Sequence, residues 1–545
     1  MNHKLIKFSL LILSGVLFGL SFPPFQTGFL AAFAFVPFFL VFSDVESYGK
    51  ALRYSYLTFF VFNLIAISWV GGFVHGKDPY LMSAGVTLLL VHPIFLSVPV
   101  LVFIFIRRSF NFKAALLTFP FLWVSFEFLH SLSDLAFPWL TLGNTQTYDI
   151  SIIQYASFTG VYGVSFWLIV LNILFFILLV KLNLREWKWF SKQSVAFVII
   201  ILLLYIIPKI HGMIILNSEE DNSHYESVKV AIIQPDIDPW EKWEAGSEES
   251  QLDMYQEMTG HIAQNVDLVL WAETAVPYYV MLPQYENYFQ KIKQQVDSLN
   301  FVLLTGIPDI YYYKTGDKIP LSAKKARYSD DRYDSYNSSM LLIPHSNEIQ
   351  KYAKIRLVPF SERVPYADAL NFLSFPEWGV GIGGWGIGKD TVVFRLPLRD
   401  TTTVKFSNMI CYESIYPTFV ANFVRKGAEF LTIITNDSWW GDTYGAYQHM
   451  QYAIFRSIEN RRWIARCANG GISCFIDPYG RVYEQTKMLT TATINFEIKA
   501  RTELTYYTRN GDVFSKFCLM ISGFLIMAGL SQKFYKYVRR KNEIY

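Results

Sequence analysis

Three short stretches combine residue types that can carry out covalent chemistry. The first, Asp267-Leu-Val-Leu-Trp-Ala-Glu273-Thr-Ala-Val-Pro277, is an apolar run that ends in a carboxylate. Layered α/β folds place reactive groups at the carboxyl ends of their strands, so Glu273, between Trp271 and Pro277, is a candidate general base. The second, Lys354-Ile-Arg-Leu-Val-Pro-Phe-Ser-Glu362, sets a cation and an anion on either side of an apolar run. An ammonium held in a cleft stabilises an oxyanion. The third, Val404-Lys-Phe-Ser-Asn-Met-Ile-Cys411-Tyr412-Glu413, ends a strand in a thiol just before a predicted helix. Such a turn exposes a nucleophile, offers backbone N–H groups to an oxyanion, and lowers a thiol pKa through the helix N-terminus. Each stretch alone also fits a structural role: a charge at a helix start, a surface ion pair, a small buried side chain.

The elements that must position these groups are short. Strands are predicted at Val228–Ile233, Asp267–Trp271, Phe301–Thr305, Ser339–Ile343, Val404–Ile410, Phe430–Thr435, Trp463–Cys467 and Thr493–Ile498. Helices are predicted at Leu252–Gln264, Tyr285–Leu299, Tyr416–Lys426 and Ala446–Asn460. Interleaved strands and helices indicate an α/β layered domain over 211–512. The polar, turn-rich Lys314–Asp334 reads as a surface excursion.

Around that domain the chain is apolar. Predicted spans are Phe8–Pro23, Phe29–Phe42, Tyr54–Val74, Leu81–Ile106, Ala114–His130, Phe158–Val180, Ser194–Ile210 and Phe514–Leu530. Most approach the ~20 apolar residues that a hydrocarbon core requires. The expected organisation is an N-terminal membrane domain over 1–210, the layered domain, and a last span with a basic tail over 513–545. The first run, preceded by Lys4 and Lys7, also resembles a signal peptide, but no A-x-A site follows it. Basic residues fall in alternate loops: Lys50 and Arg53, then Arg107, Arg108 and Lys113, then Lys181 to Lys192, and finally Lys533 to Lys541. Lys77 is the exception. The positive-inside rule then puts both termini in the cytoplasm and the layered domain outside it. Glu127 lies within a span, where a carboxylate is either functional or paired with a neighbouring helix. Phe137-Pro-Trp-Leu140 reads as an interfacial aromatic anchor.

Composition excludes other classes. The 545 residues are 52% hydrophobic and 17% charged, with a net charge of +3, which gives no basic block for nucleic acid. The four cysteines (Cys411, Cys467, Cys474 and Cys518) form no CxxC pair or zinc spacing, so no metal is expected. Cys467 and Cys474 are expected as buried free thiols, and His449 as a core or surface histidine rather than a catalyst. Gly379, Gly381 and Gly384 match GxGxxG without a βαβ context, which rules out a dinucleotide site. The stretch Phe372–Gly388, with Trp378 and Trp385, reads as a mobile, lipid-seeking loop, and Trp439, Trp440 and Tyr444 as a second such edge.

Glu273, Lys354 and Cys411 occur in the order and with the flanking motifs of the nitrilase superfamily. With spans on both sides, the chain resembles the apolipoprotein N-acyltransferase family over nearly its full length. Phe137-Pro-Trp-Leu-Thr-Leu-Gly143, Gln234 to Trp243 and Asn436-Asp-Ser-Trp-Trp-Gly-Asp442 carry the resemblance. It implies an α-β-β-α sandwich in which Cys411 is the nucleophile, Glu273 the base and Lys354 the stabiliser of the intermediate. Trp243, Glu362, Tyr412 and Glu413 match supporting positions. The implied reaction moves an acyl chain from a phospholipid through a thioester to a diacylglyceryl-cysteine apolipoprotein, with no cofactor, in a bacterial inner membrane. A monomer is expected. Ala272 replaces a usual proline, and Arg356 and Ser361 replace the usual His and Gly, which puts the fit of Glu362 in question. A membrane-tethered amidase using the same triad is the alternative enzyme. A transporter with a binding domain is the non-enzyme alternative, and its spans would need more paired polar groups.

Overall fold

In hydrocarbon an unpaired backbone N–H or C=O has no partner, so the apolar runs become helices. The computed structural model describes residues 3–218, 223–243, 248–320, 323–326, 329–366, 384–400 and 402–542. The chain divides into two units, one of residues 1–133, 137–218 and 510–545, the other of 134–136 and 219–509.

The first unit opens with α1 (His3–Ser21), a 3-10 turn at Gly28–Ala32, α2 (Phe35–Phe42), α3 (Tyr48–Ala66), α4 (Pro79–Ser109) and α5 (Phe112–His130). The short α6 (Ala156–Thr159), α7 (Val161–Asn183) and α8 (Lys192–Asn217) follow. Asp78 caps α4 by accepting from Tyr80 N and Leu81 N, with Pro79 in the first turn where no N–H is needed. The break before α2 leaves backbone groups unpaired, and buried Asn172 of α7 satisfies them. Its Oδ1 accepts from Phe35 N at 2.7 Å and its Nδ2 donates to the Ala31 carbonyl at 2.7 Å. Phe35 packs edge-on against Phe119 and Trp123 and fills the centre of the unit. Among the described residues Glu127 pairs with no charged neighbour: its Oε1 accepts from Trp123 Nε1 at 2.9 Å and Leu142 N at 2.8 Å. The aromatic anchor expected at Phe137–Leu140 is instead core, because Trp139 is buried and packs on Trp69.

In the second unit, β1 (Ser227–Gln234) is followed by α9 (Glu248–Ile262), β2 (Leu268–Trp271), α10 (Glu286–Leu299), β3 (Val302–Tyr312), β4 (Lys324–Lys325), β5 (Arg332–Leu342) and β6 (Ile349–Ala353). Then come β7 (Phe394–Pro397), β8 (Thr403–Ile410), α11 (Pro417–Arg425), β9 (Phe430–Asn436), α12 (Tyr444–Asn460), β10 (Ile464–Asn469), β11 (Cys474–Ile476), β12 (Val482–Tyr483), β13 (Ala492–Lys499) and α13 (Tyr506–Asn510). One sheet runs β13-β1-β2-β3-β5-β4 with β6 on β5, and the other runs β12-β11-β10-β9-β8-β7. Ala231, Val269 and Leu303 of the first sheet share a core with Leu252, Tyr255, Ile292 and Val296 of α9 and α10. The Cys467 thiol on β10 reaches the carbonyls of Ile233 and Leu270, which brings the two sheets face to face. With α11 and α12 on the second sheet, the unit is an α-β-β-α sandwich. Each fully buried Leu, Ile or Phe between the layers contributes about 1.5–3 kcal/mol.

The Lys314–Asp334 excursion is partly sheet, since β3 runs on to Tyr312 and pairs with β5 from Tyr333. The helix expected at Tyr416–Lys426 is α11, and a 3-10 turn over Cys411–Ile415 joins it to β8. All four cysteines are buried and unpaired. The closing α14 (Val513–Asn542) belongs to the first unit, where Ser522 hydrogen-bonds Ser125 of α5. Among the described residues six helices are long and apolar enough to cross a membrane: α1, α4, α5, α7, α8 and α14. Gly28–Phe42 is a shorter apolar helical stretch. The nineteen-residue α3 carries Lys50 and Arg53 in its first turns.

Candidate functional site

Parallel neighbours β1, β2 and β3 in one sheet and β8, β9 and β10 in the other end on the same side. Their carboxyl ends release Glu273 after β2, Cys411 after β8 and Asp437 after β9. Lys354 follows β6, and its N–H donates to the carbonyl of Asn337 on β5.

Glu273 is 7% exposed. Its Oε1 accepts from Asn337 Nδ2 at 2.8 Å and Lys354 Nζ at 3.3 Å, and its Oε2 accepts from Asn436 N at 3.0 Å. Lys354 is 1% exposed and donates more closely to Glu362 Oε1, at 2.7 Å. Glu362 is fixed in turn by Asn337 Nδ2 at 3.2 Å and Val358 N at 2.8 Å. Burial alone would lower the Lys354 pKa, but the carboxylates of Glu362 and Glu273 outweigh it and hold the ammonium above the ordinary lysine range. A buried pair of this kind is kept together because breaking it strands a charge, at about 3–5 kcal/mol.

Cys411 is 8% exposed and adopts φ +53°, a left-handed conformation unusual for a side chain with a Cβ. Its thiol is within electrostatic range of Glu273, Lys354, Asp437 and Glu362. Burial, and then the Glu273 carboxylate, push the thiol pKa well up, with Lys354 opposing. From the sequence a helix N-terminus is expected to lower it. Burial first, and then the Glu273 carboxylate, reverse that sign, so the thiol needs a base. The neighbouring Glu413 acts on the backbone. Its Oε1 accepts from Tyr352 Oη, Ile355 N and Arg356 N, and its Oε2 from Ile410 N. It therefore ties the end of β8 to the segment just beyond Lys354. Burial pushes its pKa up to about 7 despite these donors. Tyr412 is buried edge-on against Tyr416.

Trp243 is half-buried at the end of the 3-10 turn Glu241–Trp243, and its buried Nε1 has no hydrogen-bond partner among the described residues. Its neighbour Lys242 was not singled out from the sequence, yet it is buried, with Nζ on the Glu273 carbonyl at 2.9 Å and Thr274 Oγ1 at 2.8 Å. Asn337 was missed as well, because it lies in the polar half of β5, ahead of the strand predicted at Ser339–Ile343. Trp378, Gly379 and Gly381 lie outside the described residues. Gly384 and Trp385 are described, and Trp385 N donates to the Glu362 carbonyl at 3.1 Å. Trp439 packs against Trp240, and Tyr444 is 37% exposed. Among the described residues no group of three His, Cys, Asp or Glu side chains is arranged for a metal ion. A thiol, a carboxylate and an ammonium in one buried cluster suit covalent acyl transfer.

Residues 14–174 match the family model of the apolipoprotein N-acyltransferase N-terminal domain, and residues 229–507 that of carbon-nitrogen hydrolases. An apolipoprotein N-acyltransferase of Chlorobaculum tepidum is 36% identical over 96% of this chain and 97% of its own. One of Geobacter metallireducens is 31% identical over 95% of this chain and 94% of its own. Among solved structures, a CN-hydrolase superfamily protein of Xanthomonas campestris aligns over 50% of this chain and 91% of its own, with 14% identity and a TM-score of 0.35. With near full-length relatives above 30% identity and both domain models matched, the chain belongs to the apolipoprotein N-acyltransferase family.

Proposed function

We propose that the protein transfers an acyl chain from a membrane phospholipid to the N-terminal amine of diacylglyceryl-cysteine apolipoproteins, with Cys411, Glu273 and Lys354 as its catalytic residues. The observation that carries this reading is the buried contact of Lys354 with Glu273 beside the Cys411 thiol, in a chain of this family. Glu273 takes the thiol proton, and the thiolate attacks the ester carbonyl. Lys354 and the Tyr412 N–H stabilise the oxyanion. The ester C–O bond breaks, the lysophospholipid leaves with the proton from Glu273, and a thioester remains on Cys411. The acceptor amine then attacks the thioester, Glu273 takes its proton, and the C–S bond breaks as the amide forms. The thiolate recovers the proton.

Trp243, Glu362, Tyr412 and Glu413 support the site, Glu362 and Glu413 by fixing Lys354 and the nucleophile strand. The domain limits lie near 1–210, 211–512 and 513–545, with the end of α8 up to Asn217 belonging to the first. Both termini are cytoplasmic, the catalytic domain is periplasmic, and the protein acts as a monomer without a cofactor. The distribution of Lys and Arg among the loops supports this sidedness.

The test is intact-mass analysis of the full chain incubated with phospholipid. The expected result is a gain of one acyl chain that Cys411→Ala lacks and a diacylated lipopeptide discharges. Undiminished transfer by Cys411→Ala would sink the scheme. Ammonia release from small amides without an adduct would favour a tethered amidase.

A further inference from the structure

Beneath the nucleophile turn lies a group of side chains that the reaction scheme does not use. Ser414 Oγ is 2.9 Å from His449 Nε2, and His449 Nδ1 is 2.9 Å from Asp437 Oδ1. The order Ser–His–Asp is that of a hydrolytic triad, but all three are at most 1% exposed, so no substrate reaches the hydroxyl. The group points at the backbone instead. Ser414 Oγ donates to the Cys411 carbonyl at 2.9 Å, and His449 Nε2 lies 3.1 Å from the same oxygen. A carbonyl and a carboxylate only accept, so the ring meets the Cys411 oxygen with Nε2–H and Asp437 Oδ1 with Nδ1–H. Behind the imidazole, Arg466 Nη2 donates to Asp437 Oδ2 at 2.7 Å and lies 3.1 Å from His449 Nδ1, while Thr435 Oγ1 donates to Asp437 Oδ1. Burial would raise the Asp437 pKa, but Arg466 and His449 hold it well below the usual carboxylate range.

The consequence follows from peptide geometry. A trans peptide is planar, so its C=O and N–H point in opposite directions. Two interior donors on the Cys411 carbonyl therefore direct the Tyr412 N–H away from the interior group. They also offset the cost of holding Cys411 at φ +53°.

We propose that His449 is a positioning residue for acyl transfer: its Nε2–H, held by Asp437 and Arg466, fixes the Cys411–Tyr412 peptide so that the Tyr412 N–H faces the oxyanion. The proposal rests on Cys411 being the nucleophile. The experiment is single-turnover acyl loading of the full chain with vesicles of phosphatidylethanolamine and phosphatidylglycerol, followed by intact mass. In His449→Ala the loading rate constant falls about 10- to 100-fold, with the half-saturating phospholipid concentration unchanged. His449→Gln, whose amide nitrogen replaces Nε2, recovers most of that rate. Wild-type loading in His449→Ala overturns the proposal. So does equal slowing in both variants that tracks their loss of folded protein. If His449→Ala does not fold, Ser414→Ala decides, because it removes the other donor to the same carbonyl. The expected effect there is a loss of about 3- to 10-fold at an unchanged melting temperature, and a wild-type rate overturns the proposal. Absence of any Cys411 adduct in the wild type overturns the nucleophile reading itself, and this one with it.

Discussion

Lys242 and Lys354 are both buried lysines, and their surroundings push them in opposite directions. Lys354 has two carboxylates within 3.3 Å and stays charged. Among the described residues Lys242 donates to a carbonyl and a hydroxyl, and burial lowers its pKa from 10.5 to about 7, with Glu273 opposing. The unfolded chain keeps the ordinary value, so between about 7 and 10.5 the unfolded state binds more protons than the folded one. Stability therefore rises with pH across that window. The destabilising contribution of Lys242 is full below it. Lys242→Met removes the titrating group. Thermal unfolding of both proteins from pH 7 to pH 9 should show the wild type gaining on the order of 2 kcal/mol relative to the variant. Parallel curves would mean that the lysine finds a counter-charge. The residue scale also explains why a thiol with a raised pKa is compatible with nucleophilic chemistry. The carboxylate that raises it is the group proposed to take its proton.

Between elements, precision depends on close backbone approach. β3 runs beside the turn that carries Glu273, and Gly306 N donates to the Ala272 carbonyl while the Gly306 carbonyl accepts from Val276 N. A Cβ at Gly306 would lie 2.3 Å from Thr274 N and 2.6 Å from the Ala272 oxygen, both backbone atoms that cannot swing aside. Gly306→Ala should therefore move the Glu273 turn away from Lys354 and Asn337. Turnover should fall by about 100-fold, since displacements near 1 Å at reacting groups cost that much, while the chain still folds. Steady-state kinetics beside a melting curve checks this, and near-wild-type turnover would show that the turn absorbs the methyl group. The same elements refine two readings. Cys411 stands at the strand-to-helix turn expected of it, with a 3-10 turn between it and the helix that starts at Pro417. Tyr333 and Asp334 fall within the surface excursion expected at Lys314–Asp334, whereas pairing with Tyr312 and Tyr311 keeps them in sheet.

For the whole molecule, the question is which side of the membrane each unit faces. The four native thiols are buried, so an introduced cysteine can be read over a low background. Glu348→Cys lies on exposed surface of the second unit, and Lys188→Cys in the exposed loop between α7 and α8. In intact cells, a membrane-impermeant maleimide should label position 348 and leave position 188 unlabelled until the membrane is opened. The reverse pattern would invert the proposed topology.

Much of this protein was legible in its sequence because the signals are local. Apolar runs near twenty residues, basic residues in alternate loops, and apolar stretches of four to eight residues between polar helices follow from one-dimensional periodicity. Glu273 and Cys411 could be selected because each stands where an apolar run stops, and Lys354 because it opens a run that closes on Glu362. Other features depend on contacts across many residues of chain. Asn337 bridges Glu273 and Glu362 from a strand, and Lys242 reaches the Glu273 turn from the start of the domain. His449, read from the sequence as a bystander, meets Cys411 only because α12 passes under the end of β8. The Cys411 pKa changed sign for the same reason. Sequence fixes which groups are present and how each segment folds, while the dielectric and the charges around a buried group are set only by the tertiary structure that surrounds it.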